Sequence, residues 1–122
     1  MSDEINSPSH YTSHPSGVEC IDIAEQMSFR RGNAVKYIWR AGLKGSAITD
    51  LRKARWYVAR DENAATDMGP DSDVDPNLLD EVCAQFPDAR YGVLVTAVAL
   101  GAHRTALAML DALIREMEPA NA

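Results

Sequence analysis

The sequence contains little cysteine and lacks a long apolar run. Its two cysteines, Cys20 and Cys83, have no CxxC pair or His/Cys cluster around them, so neither a disulfide framework nor a zinc site is indicated. Their apolar neighbours indicate buried, reduced thiols. The sequence has no run of about 18 apolar residues, so it predicts no transmembrane helix. The start, Met1 to Glu4, is acidic and polar, unlike a signal peptide, so we expect a cytoplasmic protein.

Two common phosphate-binding motifs are also missing. The chain has no Gly-x-x-x-x-Gly-Lys-Ser/Thr loop and no Gly-x-Gly-x-x-Gly after a strand. No segment shows the alternating pattern of a half-buried strand. These absences exclude a P-loop and a Rossmann site, and they favour an all-α fold.

The net charge of −6 hides a division along the chain. Residues 28–60 carry nine Lys or Arg and one acid, Asp50, whereas the segment from Asn63 to the end carries three Arg and ten acids. This asymmetry indicates a basic ligand site within an acidic protein. An acidic total argues against general nucleic-acid binding, which needs many phosphate contacts. A compact phosphorylated ligand fits better.

Capping signals and apolar periodicity predict six helices. Ser16 and Glu19 form a capping box, Gly42 is placed to end a helix in the left-handed conformation, Asp75-Pro76 starts another, and Gly101 separates the last two. The predicted spans are Ser16 to Met27, Phe29 to Ala41, Ala47 to Asn63, Pro76 to Phe86, Asp88 to Leu100, and Ala102 to Met117.

These helices predict a small bundle in three parts. Residues 1–63 form a helical domain with an N-terminal arm, 64–76 an acidic linker, and 77–122 a C-terminal αα-hairpin. Alanines would let the hairpin pack closely, either covering the first half or building a dimer. Because a chain of this size buries a modest core, we expect a homo-oligomer. The alanines in question are Ala97, Ala99, Ala106, Ala108 and Ala112.

A basic stripe is the first candidate site. Asn33, Lys36 and Arg40 lie at i, i+3 and i+7 on one helix, with Lys44 after it and Lys53 on the next. Phosphate groups need several donors from different directions. Neighbouring aromatic residues could stack on a base. These are Tyr37, Trp39, Trp56 and Tyr57. A solvated basic face over core aromatics is the competing interpretation.

An acidic stripe is the second candidate. Glu19, Asp22 and Glu25 share the polar face of the first helix. Such carboxylates could hold Mg²⁺, which commonly binds through one or two carboxylates plus phosphates, or could act as a general base. A solvated face or salt bridges to the basic helices would explain them equally well. In the arm, His10 and Tyr11 could fold over a ligand.

Four segments resemble one known family. They are Ser9-His10-Tyr11-Thr12, Gly17-Val18-Glu19-Cys20-Ile21-Asp22, Phe29-Arg30-Arg31-Gly32-Asn33-Ala34-Val35-Lys36-Tyr37-Ile38-Trp39-Arg40-Ala41-Gly42-Leu43-Lys44-Gly45, and Asp50-Leu51-Arg52-Lys53-Ala54-Arg55-Trp56-Tyr57. Together they resemble the phage-encoded nucleotide kinase-like family, catalogued as a domain of unknown function. Its best-known activity is that of a small non-P-loop kinase of short-tailed coliphages, acting on deoxynucleoside monophosphates.

The resemblance covers residues 9–61 and implies a tailed-phage or prophage origin, the cytoplasm of an infected bacterium, and a ligand from the nucleotide pool. It marks twelve site positions, to which we assign roles. Catalysis would involve Arg40, Lys36, Asp22 and Glu19. The ligand would contact His10, Tyr11, Asn33, Tyr37, Lys44, Asp50, Lys53 and Trp56. Within these sets, Lys36, Arg40, Lys44 and Lys53 would bind phosphates, and Asn33 and Tyr37 would orient sugar or base. Glu19, Asp22 and Asp50 would position a metal or water, or hold the basic residues in place.

Kinase-like phosphoryl transfer to deoxynucleoside monophosphates is the first hypothesis, with no cofactor assigned and Mg²⁺ a candidate. A pyrophosphohydrolase of the MazG type, using Glu19, Asp22 and Glu25 around a metal, is the second. A protein that sequesters a nucleotide signal of host defence, without catalysis, is the third, and a scaffold that docks through the hairpin is the fourth.

Overall fold

In a computed structural model, residues 14–44, 48–64 and 74–118 are described, and they are all-helical with no strand. This confirms the predicted fold class. None of the helices in these ranges has the length and apolar character needed to cross a membrane. The six helices are α1 (Cys20–Ala24), α2 (Phe29–Lys44), α3 (Ile48–Ala64), α4 (Pro76–Cys83), α5 (Ala89–Ala99) and α6 (His103–Met117).

Aspartate N-caps start two of the C-terminal helices. Asp75 accepts the backbone N–H of Asn77 at 2.9 Å, and Pro76 occupies the first helical position, as predicted. Asp88 accepts the N–H of Arg90 at 3.0 Å and is the N-cap of α5, not its first residue. Each cap supplies an acceptor for a backbone donor that the helix itself leaves unpaired.

The predicted start of the first helix is wrong. Glu19, not Ser16, is the N-cap of α1, and the Asp22 carboxylate accepts the Glu19 backbone N–H at 3.2 Å. The Ser16 hydroxyl lies 2.7 Å from His14 Nδ1 and accepts the Val18 N–H at 3.2 Å, so it serves the preceding turn instead. The helix has five residues, and the Ile21 side chain is exposed.

The predicted role of Gly42 is also wrong. Gly42 lies inside α2, and the positive backbone φ angles occur at Gly17 and Gly101. A Cβ atom added to Gly42 would stand 3.0 Å from the Phe86 ring and 3.1 Å from Tyr91, so its bare backbone admits these two rings. Gly101, with φ of +78°, separates α5 from α6 as expected.

The helices share one hydrophobic core. Arg30 near the start of α2 pairs with Asp61 near the end of α3, whereas Arg40 pairs with Asp50, so the two helices are antiparallel. Helix α5 packs on α2, and α6 packs on α3. Core side chains come from before and after the predicted linker, including Ile38, Trp39, Val58, Leu94, Val98 and Leu110. The C-terminal hairpin therefore covers the first half.

Only part of the predicted alanine surface enters this packing. Ala97, Ala99 and Ala106 are buried. Ala108 and Ala112 are exposed on the outer side of α6, contrary to the prediction that they pack closely. Most of the predicted linker, residues 65–73, lies outside the described residues.

A buried ionic network joins the two halves. The Asp61 carboxylate, 5% exposed, receives Arg30 Nε at 3.0 Å and Arg31 Nε at 3.1 Å, and it lies 2.6 Å from His103 Nε2. Arg31 Nη1 also donates to the Ala99 carbonyl at 3.4 Å. The network therefore ties α2 and α3 to the junction between α5 and α6.

Asp61→Asn is expected to lower the free energy of unfolding by about 3–5 kcal/mol, because it leaves the buried Arg31 guanidinium without its counter-charge. Asp111→Asn is the matched control, since Asp111 and Arg55 form a pair whose side chains are 42% and 43% exposed. Its loss should be about 0–1 kcal/mol. Urea unfolding followed by circular dichroism measures both variants, and equal losses would contradict a central role for Asp61.

The same network should make stability depend on acidity. Burial by itself would raise the pKa of Asp61, but hydrogen bonds from His103, Arg31 and Arg30 hold that pKa below its ordinary value. Because the folded-state pKa is the lower one, the stabilisation is present above the unfolded-state pKa and is lost as the pH falls through the folded-state pKa. Unfolding measured below about pH 4 should show this loss in the parent chain and less of it in Asp61→Asn.

Candidate functional site

The candidate site lies along the outer seam between α2 and α3. On α2, Asn33, Lys36, Tyr37 and Arg40 recur every three or four residues, on the side away from buried Ala34, Val35, Ile38 and Ala41. On α3, Lys53, Trp56, Tyr57 and Arg60 recur in the same way, away from buried Leu51, Ala54 and Val58. The two faces meet along the seam, where Tyr37 of α2 stacks on Tyr57 of α3.

Two lysines from different helices meet at one tyrosine ring. Lys36 Nζ lies 4.6 Å and Lys53 Nζ lies 5.3 Å from the centroid of Tyr37. Each contact is a cation–π interaction of about 0.5–1 kcal/mol at an exposed site, yet the two ammonium groups repel each other. An anion placed between them would remove that repulsion. The ring thus brings together two of the four residues predicted to bind phosphates, and their binding of phosphate stays a prediction.

Four aromatic rings form a continuous cluster beside these lysines. Tyr37 stacks on Tyr57 with 6.0 Å between centroids and 15° between planes. Trp56 and Phe29 both meet Tyr57 edge to face, at 5.0 Å and 6.3 Å. Phe29 is 76% exposed and Trp56 is 55% exposed. Large exposed rings beside cations are typical of a binding surface. We call these four rings, with Lys36, Lys53 and Arg60, the aromatic–basic surface.

Trp39 does not belong to this surface, contrary to the sequence-based expectation that it could stack on a base. Its side chain is fully buried, 4.9 Å from His14 and 5.5 Å from Phe86 between ring centroids. Trp39 is therefore a core residue.

Ion pairs decide which cations of α2 and α3 keep an unbalanced charge. Five arginines have a carboxylate partner within 4 Å. They pair as Arg30 and Arg31 with Asp61, Arg40 with Asp50, Arg52 with Glu118, and Arg55 with Asp111. Among the described side chains of the two helices, Lys36, Lys53 and Arg60 have no such partner, and Arg60 lies 5.1 Å over the Trp56 ring. The positive charge left over is thus concentrated on the aromatic rings.

Arg40 and Asp50 flank the surface as a pair. Arg40 Nε lies 3.3 Å from Asp50 Oδ2, and Asp50 is buried while Arg40 is about one-third exposed. Of the roles predicted for Asp50, holding a basic residue in place is the one that this contact supports. The Asn33 side-chain amide is also used within the protein, because its Nδ2 donates a hydrogen bond to the Phe29 carbonyl at 2.8 Å.

The acidic stripe is not a metal cluster in the described part of the chain. No group of three or more His, Cys, Asp or Glu residues there is arranged to hold a metal ion. Asp22 caps α1, and Glu25 is exposed at the end of that helix. Binding of Mg²⁺ through one or two of these carboxylates together with phosphates, or their use as a general base, stays a prediction.

Asp22 and Lys36 nevertheless lie in the same region, because the charges of both act on the Cys20 thiol. Burial raises the pKa of Cys20 to about 12, with Lys36 acting to lower it and Asp22 to raise it. The thiol is therefore protonated at neutral pH, in agreement with the expectation of a buried, reduced cysteine. Cys83 is half-buried rather than buried as expected, and its partial burial raises its pKa as well.

Three predicted ligand residues cannot be placed. His10 and Tyr11 lie outside the described residues, as does the side chain of Lys44. Conversely, the predicted site omitted Phe29 and Arg60, and it included Tyr57 only among the rings that could stack on a base. Their spacing relative to Asn33, Lys53 and Trp56 would have grouped them on the same helix faces, since neighbours on a face recur at three and four residues.

Comparison with known proteins matches residues 5–59 to the model of a family, DUF3310, described as a protein of unknown function. The matched range includes α1, α2 and most of α3, and hence all of the aromatic–basic surface except Arg60. It stops before Asp61 and the C-terminal helices. No curated protein and no solved structure matches the chain.

Trp56 should report the charge of this surface through its fluorescence. Iodide should quench the Trp56 emission more strongly than caesium at equal ionic strength, because Arg60 lies over the ring and Lys53 is nearby, whereas Trp39 is shielded from both ions. Arg60→Gln should reduce the preference for iodide, and Trp56→Phe should remove the quenchable fraction. Equal quenching by the two ions in the parent chain would show that the surface has no excess positive charge.

Proposed function

We propose that the aromatic–basic surface binds nucleotides, and that the protein is a nucleotide kinase-like enzyme acting on deoxynucleoside monophosphates. One observation carries the proposal. The described cations of α2 and α3 that lack a carboxylate partner all lie on exposed or half-buried aromatic rings. A nucleotide is a ligand that needs both features, since its base stacks on aromatic rings and its phosphates attract cations.

The base would stack on the exposed end of the surface. Trp56 presents a large ring with a guanidinium over it, and Phe29 presents a second ring. Stacking of a base on an aromatic side chain contributes about 1–3 kcal/mol and tolerates any base. The surface would therefore select for a planar ring rather than for one particular base.

The phosphates would lie at Lys36 and Lys53. Their ammonium groups reach the Tyr37 ring from neighbouring helices, so a phosphate there would receive donors from two directions. The Tyr37 hydroxyl and the Arg40 guanidinium belong to the same helix face. Lysines act on phosphate as compact point charges, which suits neutralisation of a transferred group.

The proposed reaction needs only two reactants, a nucleoside triphosphate and a deoxynucleoside monophosphate. The bond between the γ-phosphorus and the β,γ-bridging oxygen of a nucleoside triphosphate breaks. A new bond forms between that phosphorus and a phosphate oxygen of the deoxynucleoside monophosphate, so two nucleoside diphosphates result. Charge spreads over the three oxygens of the transferred group, and the lysines would stabilise that charge. Mg²⁺ would enter bound to the triphosphate, since it keeps phosphates among its ligands.

The resemblance of residues 9–61 to phage nucleotide kinase-like proteins supports this choice over other anionic ligands. Binding without catalysis is the second candidate. The Arg40–Asp50 pair favours it, because a guanidinium that already faces a carboxylate is less available to a transferred phosphoryl group. Under that alternative, the protein would sequester a nucleotide and release it unchanged.

Lys36→Met and Lys53→Met should each weaken binding of a deoxynucleoside triphosphate about 10- to 100-fold, as expected for loss of a charged hydrogen bond worth about 1.5–3 kcal/mol. Arg52→Met is the matched control, because Arg52 neighbours Lys53 on α3 but pairs with Glu118 at 3.5 Å. Calorimetric titration measures all three. Undiminished affinity in both lysine variants would contradict the proposal.

Arg40→Ala should lower the free energy of unfolding by about 1–3 kcal/mol, because it leaves the buried Asp50 carboxylate unpaired. The double variant Arg40→Ala/Asp50→Asn should recover most of that stability. If Arg40 neutralises the transferred group, both variants should lose about 10²- to 10³-fold in phosphoryl transfer, measured with a γ-labelled triphosphate. A stable double variant that transfers phosphate at the parent rate would remove Arg40 from the mechanism.

A further inference from the structure

The rings of Phe29 and Trp56 are exposed on the same surface, and both contact the half-buried Tyr57. Phe29 meets Tyr57 at 6.3 Å and 73°, and Trp56 meets it at 5.0 Å and 88°. They come from different helices, and each is more than half exposed. A single base needs only one such platform. We propose that the aromatic–basic surface binds two nucleobases at once, one on Phe29 and one on Trp56, an inference that rests on the proposed nucleotide binding.

The exposure of Phe29 is the first argument. At 76% it is the most exposed of the large hydrophobic side chains that the structure describes, although it begins a helix whose other apolar residues are mostly buried. Its ring contributes little to the core, and the described aromatic ring that it contacts is Tyr57 on the same surface. Trp56, by contrast, already has Arg60 over its ring at 5.1 Å. The two rings are therefore separate platforms with different neighbours.

The chain of contacts from these rings to the lysines is the second argument. Both platforms contact Tyr57, Tyr57 stacks on Tyr37, and Tyr37 carries the ammonium groups of Lys36 and Lys53. Two bases on the platforms would thus direct their phosphates toward one cationic point. That is the arrangement needed by two nucleoside phosphates that exchange a phosphoryl group, or by one dinucleotide whose phosphates lie together.

The charge of the surface fits such a ligand. Lys36, Lys53 and Arg60 provide three positive charges with no carboxylate partner in the described residues. A single monophosphate carries fewer negative charges than this, whereas two nucleoside phosphates or a 5′-phosphorylated dinucleotide carry enough to balance them. The shared ligand chemistry is therefore two bases with clustered phosphates.

Calorimetry with two probes tests the proposal on the whole chain. Deoxyadenosine monophosphate should bind with two molecules per chain, and the 5′-phosphorylated deoxyadenosine dinucleotide with one. Phe29→Ala and Trp56→Ala should each reduce the monophosphate stoichiometry to one. Each should also weaken the dinucleotide about 5- to 100-fold, as expected for the loss of one stacked base. Val93→Ala, at a similarly exposed apolar residue on α5, should change neither quantity.

Fluorescence assigns each base to its ring. In the parent chain the dinucleotide should quench Trp56, because Trp39 is buried and out of reach. In a Phe29→Trp/Trp56→Phe variant it should quench the new indole at position 29. The quenching of Trp56 in the parent chain and of the indole at position 29 in the variant should reach half their full extent at the same dinucleotide concentration. With the monophosphate, the two half-maximal concentrations should be independent of each other.

The outcomes separate this inference from the proposed function. One monophosphate per chain, with Phe29→Ala binding like the parent and Lys36→Met binding weakly, would overturn the two-base proposal and leave nucleotide binding intact. No binding of either probe would overturn both. Two-base binding is supported in either of two forms: a dinucleotide that binds far more tightly than two monophosphates identifies a joined ligand, and comparable affinities identify two separate nucleotides.

Discussion

Helices α2 and α3 pack antiparallel, and this pair has a different task on each of its two sides. One side of the pair forms the core with α5 and α6, and the other side gathers the aromatic–basic surface. Two ion pairs set the register of the helices, Arg30 with Asp61 at one end and Arg40 with Asp50 at the other. Because these pairs are buried or half-buried, a shift by one turn would leave carboxylates without partners, at a cost of several kcal/mol. The register in turn places Lys53 beside Tyr37 and Tyr57 beside Phe29.

Much of the fold could be predicted because helix boundaries obey local rules. Asp75-Pro76, Gly101 and the apolar arcs of α2 and α3 each act within a turn or two of the chain, and the structure confirms them. The errors arose where two local signals competed. Ser16 and Glu19 were both able to cap α1, and the interaction of Ser16 with His14 decided between them. Gly42 resembled a helix end, but the rings of Phe86 and Tyr91, distant in sequence, explain a glycine within the helix.

Helix faces in the candidate site were predictable, but the contacts between helices and the distribution of charge were not. Only the packing of α2 on α3 brings Lys36 and Lys53 to one ring, whereas helical spacing alone groups Lys36 with Arg40 and Lys53 with Trp56. It does not reveal that Arg52 and Arg55 are balanced by Glu118 and Asp111, some 60 residues away along the chain. The segment of highest positive charge in the sequence therefore overstates the charge available to a ligand. Asp61 and His103 were missed for the same reason, since neither has a local pattern and only the fold joins them.

This division of the cations connects stability with function. Arginines, whose planar groups bind carboxylates well, make the pairs that hold α2, α3 and α6 together. Lysines, which interact with phosphate as mobile point charges, remain on the Tyr37 ring. Five cations thus fix the positions of the helices, and the fixed helices hold the remaining cations and the rings at constant spacing. A surface arranged in advance costs a ligand less ordering entropy than one that assembles on binding. Under the proposed function, an open seam between two helices would for that reason need no deep cavity to hold a nucleotide.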